Sequence, residues 1–305
     1  MAADSGSIDP AWWPQVSRRL ELDGHGHMVH EWPAAVEAPL VVLLHGWMDT
    51  GAGFGPLAAA LGPRWRCLAP DWRGFGDSDR APQGRYWFPD YLADLDRLID
   101  RVTAAAEDPV ILVGHSMGGN VAGLYAGARP ERVRALISLE GFGLPACSAE
   151  AAPARYRAWL EGLTRASRPR PFPDMAALTR RLQAQNPRLG AGVARYLAAC
   201  RGQEEAGRVV LRGDPAHRRA NPVLYRRDEA MACWRRIRAP TLWCWGEAST
   251  FVARLREAGD WQERLACFRS LTTAVVANAG HDLHQEQPEA AAAVIRGFLE
   301  RSVPV

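Results

Sequence analysis

The sequence of 305 residues contains no lysine, so all 37 of its basic residues are arginine, which we attribute to a GC-rich genome rather than to phosphate binding. A formal net charge of +3 is too small to indicate binding to nucleic acid or to an acidic membrane surface. No apolar stretch is long enough to span a bilayer, and the first residues lack the basic start and apolar run of a signal peptide. These absences predict a cytoplasmic protein that binds neither nucleic acid nor a membrane.

The cysteines also lack the spacing that is typical of metal ligands. The six cysteines are scattered and form no C-x-x-C pair, and a chain of this length can bury a large core without disulfides, so we expect reduced thiols. His25, His27 and His30 stand close together, but no cysteine or carboxylate completes a ligand set, and we expect these histidines on a surface strand. We therefore predict no metal and no organic cofactor.

The stretch around Ser116 has the pattern of a strand, a tight turn and a helix. Residues 110–113 are apolar and rich in β-branched side chains, which is typical of a strand buried on both faces. Gly114, Ser116 and Gly118 follow as Gly-x-Ser-x-Gly, and a helical pattern begins at about Asn120. The glycines permit a turn sharp enough to hold the hydroxyl at the carboxyl end of the sheet, near the N–H groups of the first helical turn. This pattern predicts a nucleophile elbow.

A second apolar strand, residues 39–44, runs directly into His45 and Gly46. A glycine at this point lets the backbone turn closely under a bound ligand. In an acyl-transfer site one oxyanion donor is the N–H of the residue after the nucleophile, here Met117, and the other comes from a loop after an earlier strand, here Trp47. We expect His45 to brace this loop, because a better base follows later in the chain.

Two later strands end close to further ionisable residues. The apolar run 133–139 ends at Glu140, and a carboxylate at the end of a buried strand is costly unless it is paired. The last strand, residues 272–277, is followed by Asn-Ala-Gly and His281. Glu140 is therefore the acidic residue of most interest in the chain.

Residues 144–236 differ in pattern from the sequence on either side. They are rich in proline and arginine, and their apolar residues recur at helical spacing, apart from one strand-like run at 209–211. We predict that this segment is a helical cap inserted between two core segments, 1–143 and 237–305. We expect His217, near the end of the segment, to be exposed.

Four motifs in a fixed order resemble the α/β-hydrolase superfamily: His-Gly-Trp, Asp-Trp-Arg-Gly-Phe-Gly-Asp-Ser, Gly-His-Ser-Met-Gly and Ala-Gly-His. The Ser-Leu-Glu-Gly-Phe-Gly stretch and the cap layout are similar to serine hydrolase-like proteins and, more distantly, to haloalkane dehalogenases and epoxide hydrolases. Those last two groups use an aspartate nucleophile, and Ser116 argues against both chemistries. The resemblance implies an α/β fold with a mostly parallel central sheet flanked by helices and an inserted helical cap.

The resemblance also implies a catalytic triad of Ser116, an acid and His281, in that chain order. His281 takes the proton of the serine and later gives it to the leaving group, while the acid fixes the imidazole tautomer and stabilises the imidazolium. The alternative base is His284, which lies three residues further along the chain.

The identity of the acid departs from the commonest family pattern. Many members carry an aspartate shortly after the strand that ends here at Gly246, and the corresponding position in this chain is Ser249. Some members place the acid at the end of the strand after the elbow helix, where this chain has Glu140. We therefore predict Glu140 as the acid and keep Glu247 as the alternative.

The sequence predicts a serine hydrolase that cleaves a carboxylic ester of a small, apolar substrate through an acyl-enzyme. Trp47, Met117, Phe142 and Leu144 are predicted to line the substrate pocket. The same triad is compatible with a C–C bond hydrolase, an amidase or a perhydrolase. A catalytically inactive homologue that binds a small ligand is a further alternative, which the missing aspartate favours and the intact serine and histidine oppose. The sequence predicts no particular oligomeric state.

Overall fold

The apolar runs of the sequence become the strands of an eight-stranded sheet. The structure, a computed structural model, describes residues 7–105, 108–164 and 170–303. The predicted core and cap also include residues 1–6, 106–107, 165–169 and 304–305, which lie outside the described residues. The strands are β1 (Val16–Leu22), β2 (His25–Glu31), β3 (Leu40–Leu44), β4 (Arg66–Pro70), β5 (Val110–His115), β6 (Val133–Leu139), β7 (Gly202–Glu205), β8 (Arg208–Leu211), β9 (Thr241–Gly246) and β10 (Leu271–Val276).

The sheet has the strand order β1-β2-β4-β3-β5-β6-β9-β10. The pairs β1–β2 and β2–β4 are antiparallel, and the other neighbouring strands are parallel. The predicted α/β fold with a mostly parallel sheet is therefore confirmed. Because parallel strands end at the same edge of a sheet, the residues that follow β3, β5, β6 and β9 are brought to one side of the molecule.

Helices cover both faces of this sheet. They are α1 (Gly55–Leu61), α2 (Phe88–Val102), α3 (Met117–Ala128), α4 (Ala152–Thr164), α5 (Met175–Gln185), α6 (Ala191–Arg201), α7 (Arg227–Trp234), α8 (Thr250–Glu257), α9 (Trp261–Leu265), α10 (Leu283–Glu286) and α11 (Pro288–Ser302). One apolar cluster includes residues of α2, α3 and α7, and a second includes residues of α1 and α11. None of these helices, within the ranges described, has both the length and the hydropathy needed to cross a bilayer.

The segment between β6 and β9 contains α4 to α7 and a small antiparallel hairpin, β7–β8, whose second strand includes the apolar run at 209–211. Helices α5 and α6 share an apolar cluster with β8, to which Leu178, Tyr196 and Val209 belong. Helix α4, by contrast, has no buried residue. Helix α7 lies within the predicted cap, yet its Trp234 belongs to the same apolar cluster as α2 and α3. The division into core and cap stays a prediction.

Candidate active site

The turn that carries Ser116 joins β5 directly to α3. The Ser116 backbone has φ 49° and ψ −112°, a conformation whose strain is on the order of 1–3 kcal/mol. A Cβ atom on Gly118 would overlap the carbonyl oxygen of Leu44, and a Cβ atom on Gly114 would overlap the backbone of Gly118. The two glycines therefore let β3, β5 and α3 approach closely enough to hold the serine at the carboxyl end of the sheet.

Three side chains from three strand ends form one hydrogen-bonded chain. Glu140 follows β6 directly, and His281 lies on the loop between β10 and α10. The Nδ1 atom of His281 lies 3.1 Å from Oε2 of Glu140, and its Nε2 atom lies 3.1 Å from Oγ of Ser116. A neutral imidazole that donates through Nδ1 to the carboxylate can accept the serine hydroxyl at Nε2. This order of acid, imidazole and hydroxyl can activate a serine for nucleophilic attack.

Glu140 is fully buried, and its two carboxylate oxygens accept hydrogen bonds from separate elements. Oε1 accepts from the backbone N–H of Gly246 at 2.9 Å, and Oε2 accepts from the hydroxyl of Ser249 at 2.7 Å. The Ser249 hydroxyl in turn accepts from the N–H of Val252 in the first turn of α8, at 3.1 Å. Together with His281, three donors compensate the burial of this carboxylate. Ser249, which stands where an aspartate is common, therefore orients Glu140.

The structure does not bring the two alternative residues into this hydrogen-bonded chain. Glu247 is exposed, and its Oε2 accepts from the N–H of Asn278 at 3.2 Å. His284 is fully buried, with its ring centroid 4.9 Å from that of Phe54 and 4.2 Å from that of His115. Burial, and then the neighbouring His115, lower the pKa of His284 well below its usual value. His284 is thus a neutral ring within the protein interior.

The surroundings of His281 favour its protonated form. Burial opposes that form, but the hydrogen bond and the charge of Glu140 outweigh burial and raise the pKa of His281 above its ordinary value. Nε2 of His115 donates to the carbonyl oxygen of His281 at 2.9 Å and so holds the loop in place. Burial, followed by the charge of His281, lowers the pKa of His115 to about 4, so that His115 stays neutral. A raised pKa makes His281 a stronger base for the serine proton.

The loop after β3 passes beside the nucleophile. A Cβ atom on Gly46 would lie 2.7 Å from Nδ1 of His115 and 3.4 Å from Cβ of Ser116, so glycine lets the loop pass this close to the two side chains. His45 braces the loop, as predicted: its Nδ1 donates to the carbonyl oxygen of Gly46 at 2.7 Å, and its Nε2 accepts from the N–H of Trp72 at 3.0 Å. The next residue, Trp47, is half exposed.

A cavity of about 360 Å³ adjoins the elbow, and its lining residues include Trp47 and Met117. Much of the remaining wall comes from residues 84–91 and 216–222 and from Trp159 of α4. A second cavity, of about 780 Å³, shares three lining residues with the first: Trp87, Trp159 and Pro222. Met117 begins α3, and the first N–H groups of a helix have no acceptor within the helix.

Phe142 and Leu144 do not line either cavity, contrary to the prediction. The Phe142 ring is fully buried, with its centroid 4.6 Å from that of Trp243 and 5.7 Å from that of Trp261. The guanidinium of Arg264 donates to the carbonyl oxygens of Phe142 and Leu144, at 2.6 and 3.0 Å. The aromatic ring that suggested a pocket wall is part of the hydrophobic core. The segments that do form the wall carry no local sequence signal for that role.

Four histidines were expected at the surface, but His27 and His30 are buried and His25 and His217 are half-buried. The His217 ring lies between Phe75 and Tyr86, at centroid distances of 3.7 and 3.6 Å, and burial lowers the pKa of His217 to about 4. His27 and His30 are buried, each with Nε2 3.4 Å from an aspartate carboxylate. Within the described ranges, no group of three or more His, Cys, Asp or Glu side chains is placed to hold a metal ion.

A largely buried ion pair connects α6 to the loop after β3. Nε of Arg201 donates to Oδ1 of Asp49 at 2.8 Å, and Gln285 of α10 donates to Oδ2 at 2.7 Å and accepts from Arg201 at 3.2 Å. Burial favours the neutral acid, but the charge and hydrogen bond of Arg201 outweigh it and hold the pKa of Asp49 far below its usual range. The sequence analysis missed this network because its members lie far apart in the chain.

Comparison with known proteins identifies the family to which the fold belongs. The family defined by the α/β hydrolase fold matches residues 39–288. A serine hydrolase-like protein from Danio rerio is 26% identical over 278 residues, covering 87% of this chain and 82% of that protein. A 2-(acetamidomethylene)succinate hydrolase from Mesorhizobium japonicum is 27% identical over 286 residues, covering 93% and 95%. The solved thioesterase domain from the curacin biosynthetic pathway has a TM-score of 0.82 at 27% identity, covering 92% of this chain and 99% of that domain.

These matches extend over most of the chain, and the matched relatives are named as hydrolases or as a thioesterase. The residues that match the fold family include β5, which precedes Ser116, and β10, which precedes His281. The chain belongs to the α/β-hydrolase superfamily and is similar to serine hydrolase-like proteins.

Proposed function

We propose that this protein is a serine hydrolase that cleaves a carboxylic ester of a small molecule through an acyl-enzyme. The observation that carries the proposal is the hydrogen-bonded chain from Glu140 through His281 to Ser116. His281 takes the serine proton at Nε2 as Oγ attacks the ester carbonyl, and it returns that proton to the departing alcohol. Glu140 keeps the other imidazole proton on Nδ1 and stabilises the imidazolium.

The negative charge on the tetrahedral intermediate is held by the backbone N–H groups of Trp47 and Met117. The position of Met117 at the start of α3 and the close approach of the Gly46 backbone to Ser116 support this assignment. Water, activated by His281, then attacks the acyl-enzyme and releases the acid.

The relatives support acyl transfer to water in general, since they include enzymes named as hydrolases of several kinds and a thioesterase domain. The burial of Glu140 against His281 supports an active enzyme over an inactive ligand-binding homologue. A C–C bond hydrolase, an amidase and a perhydrolase use the same groups, and a panel of substrates separates them from an ester hydrolase.

Labelling with a fluorophosphonate probe tests the proposal. We expect the wild-type protein to be labelled and Ser116→Ala to lose labelling, because the probe reacts with an activated serine hydroxyl. Ser270→Ala, which removes an exposed hydroxyl far along the chain, serves as the control and is expected to label like the wild type. Hydrolysis of p-nitrophenyl esters by the wild type then identifies the bond. A folded wild type that neither labels nor hydrolyses these esters would instead support a ligand-binding protein.

The pH dependence of the reaction follows from the environment of His281. The base must be neutral, and Glu140 raises the pKa of His281 above its ordinary value of 6.5, so kcat/KM is expected to rise with pH through a limb above 6.5. Glu140→Gln removes the charge that raises this pKa and leaves burial, which lowers it. The limb is therefore expected to move to lower pH, even as the maximum rate falls. An unmoved limb in Glu140→Gln, or an equal movement in the Glu247→Gln control, would contradict this assignment.

A further inference from the structure

The cavity beside the elbow is lined by positive charge without a matching acid. Arg85 and Arg219 both line it, and no Asp or Glu is among the lining residues that the structure describes. Arg85 is exposed and Arg219 is half-buried, so both guanidinium groups are accessible to a ligand. In the described part of the chain, no carboxylate lies within ion-pair distance of either arginine.

Three acidic residues lie close to this wall in the chain, and each has a partner within the protein, including Glu161 between Trp159 and Leu163. Asp90 accepts from the N–H of Trp87 at 3.2 Å and lies 3.7 Å from the guanidinium of Arg73. Asp214 accepts from the hydroxyl of Tyr86 at 2.6 Å and from the N–H of Ala216 at 2.9 Å. Both carboxylates therefore satisfy groups of the protein itself and leave the two arginines of the cavity without a counter-ion.

The two arginines belong to the same part of the cavity wall. A Cβ atom on Gly84, the residue before Arg85, would lie 2.9 Å from Nη1 of Arg219. Gly84 has a φ of 63°, so the backbone there takes a conformation that favours glycine and leaves room for the guanidinium. The neighbouring cavity differs, because its Arg226 is accompanied by Asp228 and Glu229. Of these two neighbouring cavities, only the one that Trp47 and Met117 join to the elbow has arginines in its lining without a carboxylate beside them.

We propose that the ligand of this cavity carries an anionic group, a carboxylate or a phosphate, which Arg85 and Arg219 bind. The planar fork of a guanidinium matches both kinds of oxyanion with two parallel hydrogen bonds. The aromatic wall, which includes Trp47, Trp87 and Trp159, contacts the apolar part of the ligand. The inference deepens the proposed function. It rests on that function in one respect only, namely that the ligand is an ester whose carbonyl group reaches Ser116.

Calorimetric titration of Ser116→Ala tests this without requiring turnover. Three benzyl esters are compared: monobenzyl glutarate, with a free carboxylate; its neutral methyl-capped diester; and a benzyl ester of equal length that ends in a phosphate. We expect at least one anionic ligand to bind about tenfold or more tightly than the neutral one, since hydrogen bonds to a charged group are stronger than those between neutral groups. The difference between carboxylate and phosphate identifies which oxyanion the site prefers.

The role of the two arginines is tested by substitution in the same background. Arg85→Gln with Arg219→Gln is expected to remove most of the advantage of the anionic ligand and to leave binding of the neutral diester unchanged. Each single variant is expected to lose part of the advantage. Arg181→Gln, on the exposed side of α5 and outside the cavity, is the matched control. This variant is expected to keep the tighter binding of the anionic ligand. Raising the ionic strength is expected to weaken only the anionic ligands.

Two outcomes would overturn the inference: equal binding of the anionic and neutral esters, or an anion preference that survives in the double arginine variant. Hydrolysis by the wild-type protein is measured separately. Preferential binding of the anion without hydrolysis of any ester would overturn the proposed function and retain the anion site. Hydrolysis of neutral esters without preferential binding of the anion would overturn the anion site and retain the proposed function.

Discussion

Replacing Glu140 with glutamine is expected to lower kcat for ester hydrolysis by about 10⁴-fold, the size of loss seen when the acid of a serine triad is made neutral. Glutamine has nearly the same shape and can still accept from the N–H of Gly246, but its NH2 group then faces Ser249 and His281, where the carboxylate oxygen accepted. It carries no charge to stabilise the imidazolium, and its amide can hold His281 in the wrong tautomer. Initial rates with a short-chain p-nitrophenyl ester measure this loss.

Glu247→Gln is the matched control for this variant, because it removes the same charge from an exposed residue on the next strand end. Its kcat is expected to stay close to that of the wild type. A second variant, Glu140→Gln with Ser249→Asp, restores a carboxylate at a site whose hydroxyl lies 2.7 Å from Oε2 of Glu140. Because aspartate also caps helices, α8 is expected to remain intact and part of the activity to return. Equal losses in Glu140→Gln and Glu247→Gln would rule out Glu140 as the acid.

Replacing Asp49 with alanine is expected to lower the free energy of unfolding by about 3–5 kcal/mol. The substitution leaves the buried charge of Arg201 without its partner and removes the acceptor for Gln285. Because the pKa of Asp49 is lower in the folded protein, its contribution is present above the unfolded pKa of about 3.9 and is lost as the pH falls below it. Urea unfolding at neutral pH measures the loss.

A double-mutant cycle separates the ion pair from other effects of the substitution. Arg201→Met keeps much of the side-chain length without the charge, so Asp49→Ala with Arg201→Met no longer contains an unpaired buried cation. The double variant is expected to be more stable than Asp49→Ala alone. Additive losses would contradict a direct interaction between the two residues.

The position of the candidate triad could be predicted because each member follows an apolar run that forms a strand; β5 and β6 are buried, whereas β10 is an edge strand with only its last residue buried. The runs before Ser116, Glu140 and His281 are short, bounded by glycine or proline, and typical of a parallel sheet, and the carboxyl ends of such strands meet at one edge. The preference for Glu140 over Glu247 rested on the family resemblance, since some members place the acid at the end of the strand after the elbow helix, and the cost of an unpaired carboxylate at the end of a buried strand had drawn attention to Glu140. In the structure Glu140 is fully buried and Glu247 is exposed.

The cavity wall could not be predicted, because its residues are adjacent only in the folded chain. Residues 84–91 and 216–222 lie more than a hundred positions apart, and neither has the periodicity or motif that marks a functional segment. Phe142 was predicted to line the pocket, but three tryptophans of the core surround its ring. His217 looked exposed among arginines, yet it stacks between Phe75 and Tyr86.

The hydrogen bond from Ser249 to Glu140 bears on how distant homologues are sorted by sequence. A search that requires an aspartate after the strand ending at Gly246 would set this chain aside with degenerate members. Yet the side chain at that position contacts the very carboxylate that lies beside His281, so the two alternative positions for the acid are one hydrogen bond apart. Such a search should therefore accept a carboxylate at either position, and only chains that lack both should be grouped with non-enzymatic relatives.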